Sequence, residues 1–266
     1  MTAVVVELVA DQGVVVTSFL ANSPSALEAL KSATLLKSLS LNVLISGEHG
    51  TGKKSLATHI FPLAPIVNAK DFDTLLETIK EHKEVIVTNF EKLANADLLK
   101  KLIEETKTRI VATSAVHLSQ SLYDSFFSIT VHLPPLSERP EDVKPLCQKF
   151  LEENRDLLGE QPLEFCDKIS FDLSENAHSL KRSLMTQVLF QSLEPQEFMQ
   201  ILKGHLFDAI EGNNAYRDQL HLFEVPLIQA GLEKYKSQFK LAEVLGINRN
   251  TLRKKIKQYS EDLTYE

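Results

Sequence analysis

The spacing of apolar residues changes character along the chain. Residues 3–10 and 14–20 are two short apolar runs broken at Asp11-Gln-Gly13, which predicts a hairpin, either a small sensor remnant or an added edge hairpin. Short runs rich in branched side chains then fall at about 43–46, 65–67, 85–88, 109–113 and 128–132, alternating with helical spacing at 53–60, 71–82, 95–106 and 118–126. Strands that are apolar throughout and separated by helices predict a parallel sheet covered on both faces. From Pro140 to about Ile210 the spacing is helical, after which Gly212-Asn-Asn-Ala-Tyr-Arg-Asp is polar and turn-rich. The pattern predicts an α/β subdomain over 1–138, a helical subdomain over 139–211, a linker over 212–223 and a small all-α domain over 224–266.

The last of these carries the densest pattern. From Phe239 to Lys257, apolar residues at Leu241, Val244, Leu245, Ile247, Leu252 and Ile256 can bury together. Gly246 suits the left-handed position that ends one helix, and Asn248 can cap the next by accepting a backbone N–H bond. Between 231 and 260 eight cations face only Glu233 and Glu243, a net of +6. A helix that enters the major groove needs polar groups at its start for base edges and cations along its flanks for phosphates. Arg249, Asn250 and Arg253 fit the first role, and Lys254, Lys255 and Lys257 the second, with Lys240, Asn248 and Thr251 completing the candidate DNA contacts. A merely solvated basic helix, the plainer alternative, would need neither the glycine, the cap nor the apolar seam.

A second site is written after the first central run. Leu41-Asn-Val-Leu-Ile-Ser is followed by Gly47, Glu48, His49, Gly50, Thr51, Gly52, Lys53 and Lys54, and then by helical spacing. In that strand–loop–helix context, glycines let backbone N–H groups face a phosphate, the helix start favours negative charge, and Lys53 can reach the outer phosphate oxygens. ATP or ADP is the candidate ligand. Lys54 stands where a Ser or Thr would hold magnesium, which places magnesium retention in doubt. A glycine loop that only turns the chain is the plainer alternative.

Composition narrows the class. The chain has 266 residues, 43% of them hydrophobic, and a net charge of −7, of which residues 231–266 carry +3 and the first 230 carry −10. DNA contact is therefore expected from the C-terminal end alone. No apolar run approaches a membrane span and no signal peptide is expected, so the reading is a cytoplasmic protein. Cys147 and Cys166 form no Cys-x-x-Cys pair, no His cluster offers a metal cage, and both cysteines read as small buried apolar residues.

Gly-Ile-Asn-Arg-Asn-Thr-Leu-Arg-Lys-Lys-Ile-Lys, within 241–258, resembles the Fis-type helix-turn-helix at the C-terminus of bacterial enhancer-binding regulators. In that family the preceding helix, here about Pro226 to Lys236 with Leu227, Ile228, Leu232 and Tyr235 as its stripe, forms much of a dimer interface. Phe19-Leu-Ala-Asn-Ser-Pro-Ser-Ala-Leu, the glycine loop, and Val131-His-Leu-Pro-Pro-Leu-Ser-Glu-Arg-Pro-Glu-Asp-Val resemble the AAA+ domain of the sigma-54 enhancer-binding, NtrC-type regulators. The resemblance implies an AAA+ P-loop sheet with a helical lid, followed by the Fis-type domain.

Against that pattern, the family's hydrolytic parts are missing. Its Asp and Glu after the second core strand correspond to Thr88 and Asn89, and Glu91 lies two residues further on, not obviously aimed at the same site. Leu118-Ser-Gln-Ser-Leu-Tyr-Asp-Ser-Phe-Phe-Ser lacks the family's two arginines, and its lid sensor arginine corresponds to His178, which reads as a surface residue. Only 35 positions separate Lys53 from Thr88, and nothing in Phe61 to Lys83 resembles the loop that pushes on sigma-54. The expectation is a degenerate, sigma-54-independent regulator that binds double-stranded DNA as a homodimer, is not an efficient ATPase and has no catalytic or metal-ligating residues. Two alternatives stand beside it: an active ATPase using Glu91 or a partner's residue, and a protein-interaction module with secondary DNA binding.

Overall fold

The computed structural model describes residues 19–158, 166 and 171–260. The predicted hairpin over 3–10 and 14–20 lies almost wholly outside them. The chain divides into two compact units, Met1–Gln191 and Ser192–Glu266. The segment expected to form one helical subdomain, 139–211, thus contributes to both.

In the first unit α1 (Pro24–Leu36) is followed by β1 (Val43–Ser46), α2 (Lys53–Ile60), β2 (Ile66–Asn68), α3 (Phe72–Glu81), β3 (Glu84–Thr88), α4 (Ala96–Thr106), β4 (Arg109–Ser114), α5 (Gln120–Phe126) and β5 (Ile129–His132). The five strands form a parallel sheet in the order β2-β3-β4-β1-β5. Alternation along each strand decides which helices it meets. Val43, Ile45, Ile86, Val111 and Val131 bury against α1 and α2. Leu44, Val85, Val87, Ile110 and Ala112 point the other way, against α3, α4 and α5. Each such branched side chain taken out of water contributes about 1.5–3 kcal/mol. Because both faces are covered, the strands read as continuous apolar runs, as expected from the sequence. β1 lies between β4 and β5, one strand in from the side of the sheet, and the loop after it opens at the C-terminal ends of the strands, where α/β sheets place their ligands.

Helices α6 (Pro140–Glu153), α7 (Arg155–Leu158) and α8 (Ala177–Ser192) follow. Cys147 and Cys166 are buried, as the sequence suggests, but they are joined in a disulfide across 19 positions beside Leu184 and Val188. The pairing corrects the reading of two separate apolar residues. Bridging depends on Cα separation, here 6.3 Å, and spacing along the chain carries no signal for that.

A buried charged group ties three segments of this unit together. Asp142 in the first turn of α6 is fully buried; its carboxylate accepts from the backbone N–H groups of Asn22 and Ser23 (2.6 and 2.8 Å) and from Ser23 Oγ at 2.8 Å. Ser23 in turn caps α1, accepting from Ala26 N. Arg139, 2% exposed, donates to Asp142 at 3.4 Å and to the Thr51 carbonyl at 2.9 Å. Burial lowers the Arg139 pKa from its ordinary value and Asp142 raises it again.

In the second unit α9 (Pro195–Ala209) and α10 (Ala215–Gln219) precede α11 (His221–Tyr235), α12 (Gln238–Val244) and α13 (Arg249–Gln258). Helix α10 occupies part of the stretch read as linker. Helix α11 begins at His221 and carries Pro226 inside it, so the proline costs one backbone bond instead of starting the helix. Ile228, Leu241, Ala242, Leu252, Ile256 and Tyr259 form the core of this unit, with Leu245 and Ile247 against it. Val244, expected in that seam, is 49% exposed: it points off the face of α12 that carries Leu241 and Ala242.

Replacing Asp142 by Ala leaves a buried guanidinium without its carboxylate and two backbone donors without an acceptor. We expect a loss of about 3–5 kcal/mol in the urea unfolding of the full chain. A loss below about 1 kcal/mol would show that the group is not the tie described here.

Candidate functional site

The loop between β1 and α2 meets the sequence expectation in its backbone and adds contacts that no motif contains. Gly50 has φ +78°, and a Cβ there would come within 2.5 Å of the Glu175 carbonyl oxygen, so only glycine fits. The loop is held from α8's leading turn. Asn176, itself at φ +56° and 1% exposed, donates to Glu48 Oε2 (3.1 Å) and to the His49 carbonyl (2.9 Å). Its side-chain Oδ1 accepts from Leu136 N, and Ala177 N donates to the Gly50 carbonyl at 3.2 Å. Thr51 Oγ1 closes the loop on the Glu48 carbonyl at 2.9 Å.

Beside the loop opens a cleft of about 500 Å³. Gly50, Thr51, Gly52, Lys53 and Lys54 line it, whereas Gly47, Glu48 and His49 do not; they are turned toward Lys53 and Asn176. Phe19 and Leu20 supply an apolar part of the lining, and Thr88 and Asn89 sit where β3 ends. From α6 and α8 come Lys149, Phe150, His178 and Lys181. His178 is exposed, as expected of a surface residue, yet lies at the cleft.

Lys53 donates to the Gly47 carbonyl at 2.6 Å and to that of Glu48. Burial lowers its pKa, while Glu91 and then Glu48 raise it. The Glu91 carboxylate is therefore electrostatically engaged with the loop lysine, and its Oε2 is buried without a hydrogen-bond partner. Glu91 sits in a tight 3-10 turn, Phe90–Lys92, that follows the left-handed Asn89 (φ +54°), and it is not among the described residues that line the cleft. Arg139 and Asn176 were missed as site residues, because their roles depend on contacts across 88 and 128 positions.

The family resemblance implies magnesium beside the nucleotide. Magnesium takes oxygen ligands and is usually held through a carboxylate. Lys54 offers an ammonium where a hydroxyl is needed, Thr88 and Asn89 are uncharged, and no Asp or Glu is among the described residues lining the cleft. These residues do not fit the ion.

In the second unit α12 ends on Gly246 at φ +65°, with Ile247 N donating to the Ala242 carbonyl at 3.1 Å. Asn248 then caps α13, its side chain accepting from Asn250 N at 2.8 Å. Leu252 and Ile256 turn inward, which leaves Asn248, Arg249, Asn250, Thr251, Arg253, Lys254 and Lys257 exposed together. Lys240 is exposed and paired with Glu243 at 2.9 Å. Lys255 departs from the expected phosphate set. It is half-buried, pairs with Glu224 on α11, and shares that carboxylate with the Tyr259 hydroxyl at 2.9 Å.

Comparison with known proteins agrees with both halves. Residues 219–259 match the Fis family of bacterial regulatory proteins, and residues 19–75 match the Sigma-54 interaction domain. Over 89% of this chain and 55% of its own length, a Geobacillus stearothermophilus protein named limonene hydroxylase is 24% identical. The HTH-type transcriptional regulatory protein TyrR of Salmonella typhimurium is 28% identical over 53% of this chain and 29% of its own length. The chain thus spans about half of the first relative and under a third of the second. The structure of NtrX from Brucella abortus in complex with ADP has the same fold, with a TM-score of 0.55 at 14% identity over 89% of this chain and 68% of that one.

Removing the Lys255 amine should act on the fold of the second unit before it acts on any ligand. In thermal unfolding, Lys255→Ala is expected to cost about 1–3 kcal/mol, since Glu224 keeps only Tyr259. Lys254→Ala, on an exposed face, should stay within about 0.5 kcal/mol. Equal effects of the two would contradict the assignment.

Proposed function

We propose that this chain, an NtrC-type regulator by its two family matches, is a sequence-specific DNA-binding transcription regulator that works as a homodimer. The observation that carries the reading is the outer face of α13, where Arg249, Asn250, Arg253, Lys254 and Lys257 are exposed together behind a capped N-terminus. That face, and the strand–loop–helix of the first unit, favour a regulator over the activity in the Geobacillus relative's name. Two half-sites need two copies, and α11 leaves Phe223 and Leu227 exposed where a second copy could cover them.

In this reading the cleft binds ATP or ADP as a signal and does not hydrolyse it efficiently. Support comes from Thr88 and Asn89 at the end of β3, and from the ADP in the Brucella structure. Independence from sigma-54 is supported by residues 61–83, which β2 and α3 largely occupy. One observation favours a second reading, an ATPase that orients water through Glu91: a buried, unpartnered oxygen on the carboxylate whose charge raises the Lys53 pKa.

Selection of genomic fragments by the purified protein should enrich a palindromic site. Arg253→Ala is expected to relax specificity at one position, by about 1–3 kcal/mol against the wrong base. Lys254→Ala should instead weaken binding to all sequences and reduce the salt slope by about one. Retention with no sequence preference would remove the regulator reading. Phosphate release from ATP should not exceed background; turnover that disappears in both Lys53→Ala and Glu91→Gln would establish the second reading.

A further inference from the structure

The charges around the cleft are lopsided. Lys53, Lys54, Arg139, Lys149, His178 and Lys181 line it, and no carboxylate among the described residues does. Glu91 and Glu48 raise the pKa of Lys53, which is already bonded to loop carbonyls, and Asp142 pairs with Arg139. The other cations come from separate elements. Lys54 is exposed on the first turn of α2, Lys181 of α8 lies over the Phe150 ring at 5.5 Å, and Lys149 of α6 pairs with Glu153 on its own helix at 3.9 Å. Arg139 keeps a buried Nε with no hydrogen-bond partner at the same cleft.

A nucleotide-binding cleft of this fold usually balances phosphate charge with a metal ion, and then needs acids to balance the metal. Here the step is reversed. A divalent ion beside Lys54 would meet a like charge at close range, in a site where repulsion is screened less than in water. A free polyphosphate would meet ammonium groups from two sides, and an ammonium binds phosphate oxygens well as a point charge.

We propose that the cleft takes its nucleotide as the metal-free polyanion, with Lys54 in the place of magnesium and Lys149 and Lys181 completing the charge balance from the facing wall. This rests on the reading of the cleft as a nucleotide site. It also accounts for the loss of acids after β3, since a site that holds no ion has no use for groups that hold one. Magnesium then acts as a competitor: by binding the free nucleotide it withdraws the species that the cleft prefers.

The test is calorimetric titration of the full chain with ATP, once in EDTA and once with excess magnesium chloride, at matched ionic strength so that screening is constant. Binding is expected in EDTA, with affinity about fivefold or more weaker in magnesium. Lys54→Ala should weaken the EDTA affinity by about fivefold, and Lys54→Glu should reverse the order so that magnesium helps. Lys53→Ala, which removes the loop lysine itself, should abolish binding in both buffers. Tighter binding in magnesium by the unaltered chain would overturn the metal-free proposal and leave nucleotide binding standing. No heat in either buffer, together with no displacement of a fluorescent ATP analogue, would overturn both.

Discussion

The first unit depends on one buried pair. Arg139 and Asp142 lie one turn apart at the start of α6, and each reaches a different segment: the guanidinium takes the Thr51 carbonyl of the loop, and the carboxylate takes the leading turn of α1. Two charges out of water are costly unless their remaining bonding capacity is used, and here the Asp142 oxygens accept three further bonds. The unused position is Arg139 Nε. The pair therefore positions three walls of the cleft at once, Phe19 and Leu20 before α1, Thr51 in the loop, and Phe150 along α6. No apolar contact would fix the direction of the loop carbonyl in the same way.

The second unit uses a comparable device at lower burial. Glu224 holds Lys255 of α13 and Tyr259 directly after it, so α11 fixes the rotation of that helix about its own axis. The apolar seam of Leu252 and Ile256 alone allows some rolling; a carboxylate with two donors does not. What the rotation sets is which residues face outward. One lysine is withdrawn from the surface so that Arg249, Asn250 and Arg253 are presented in a defined direction.

The legibility of the sequence follows the range of the interaction. Strands β1, β3 and β4 were readable because continuous branched runs record burial on both faces, a local property. Gly246 and Asn248 were readable because a helix end is settled within five residues. The roles of Asn176, Arg139 and Lys255 were not, because each is decided by a partner far along the chain. Glu91 falls between: the left-handed Asn89 and the 3-10 turn after it set its position, and spacing along the strand carries no signal for that turn. Val244 has the residue type of a core position but sits on the outer side of α12, and spacing over a seven-residue helix is too short to settle which side that is.

The distribution of charge links the two sites. The first 230 residues carry −10, yet the cleft within them is lined with cations, while the basic surplus of the chain lies in 231–260. In the proposed reading an acidic balance disfavours contact of this part with DNA phosphates, and the cleft lysines serve a small ligand that can enter about 500 Å³. Duplex DNA is excluded from such a cleft by size, and a nucleotide gains little on α13, where contacts are spread along an exposed helix face. In the proposed reading both sites recognise phosphate. Geometry separates their ligands: concave and enclosed by loop and lid residues in one case, convex and exposed in the other.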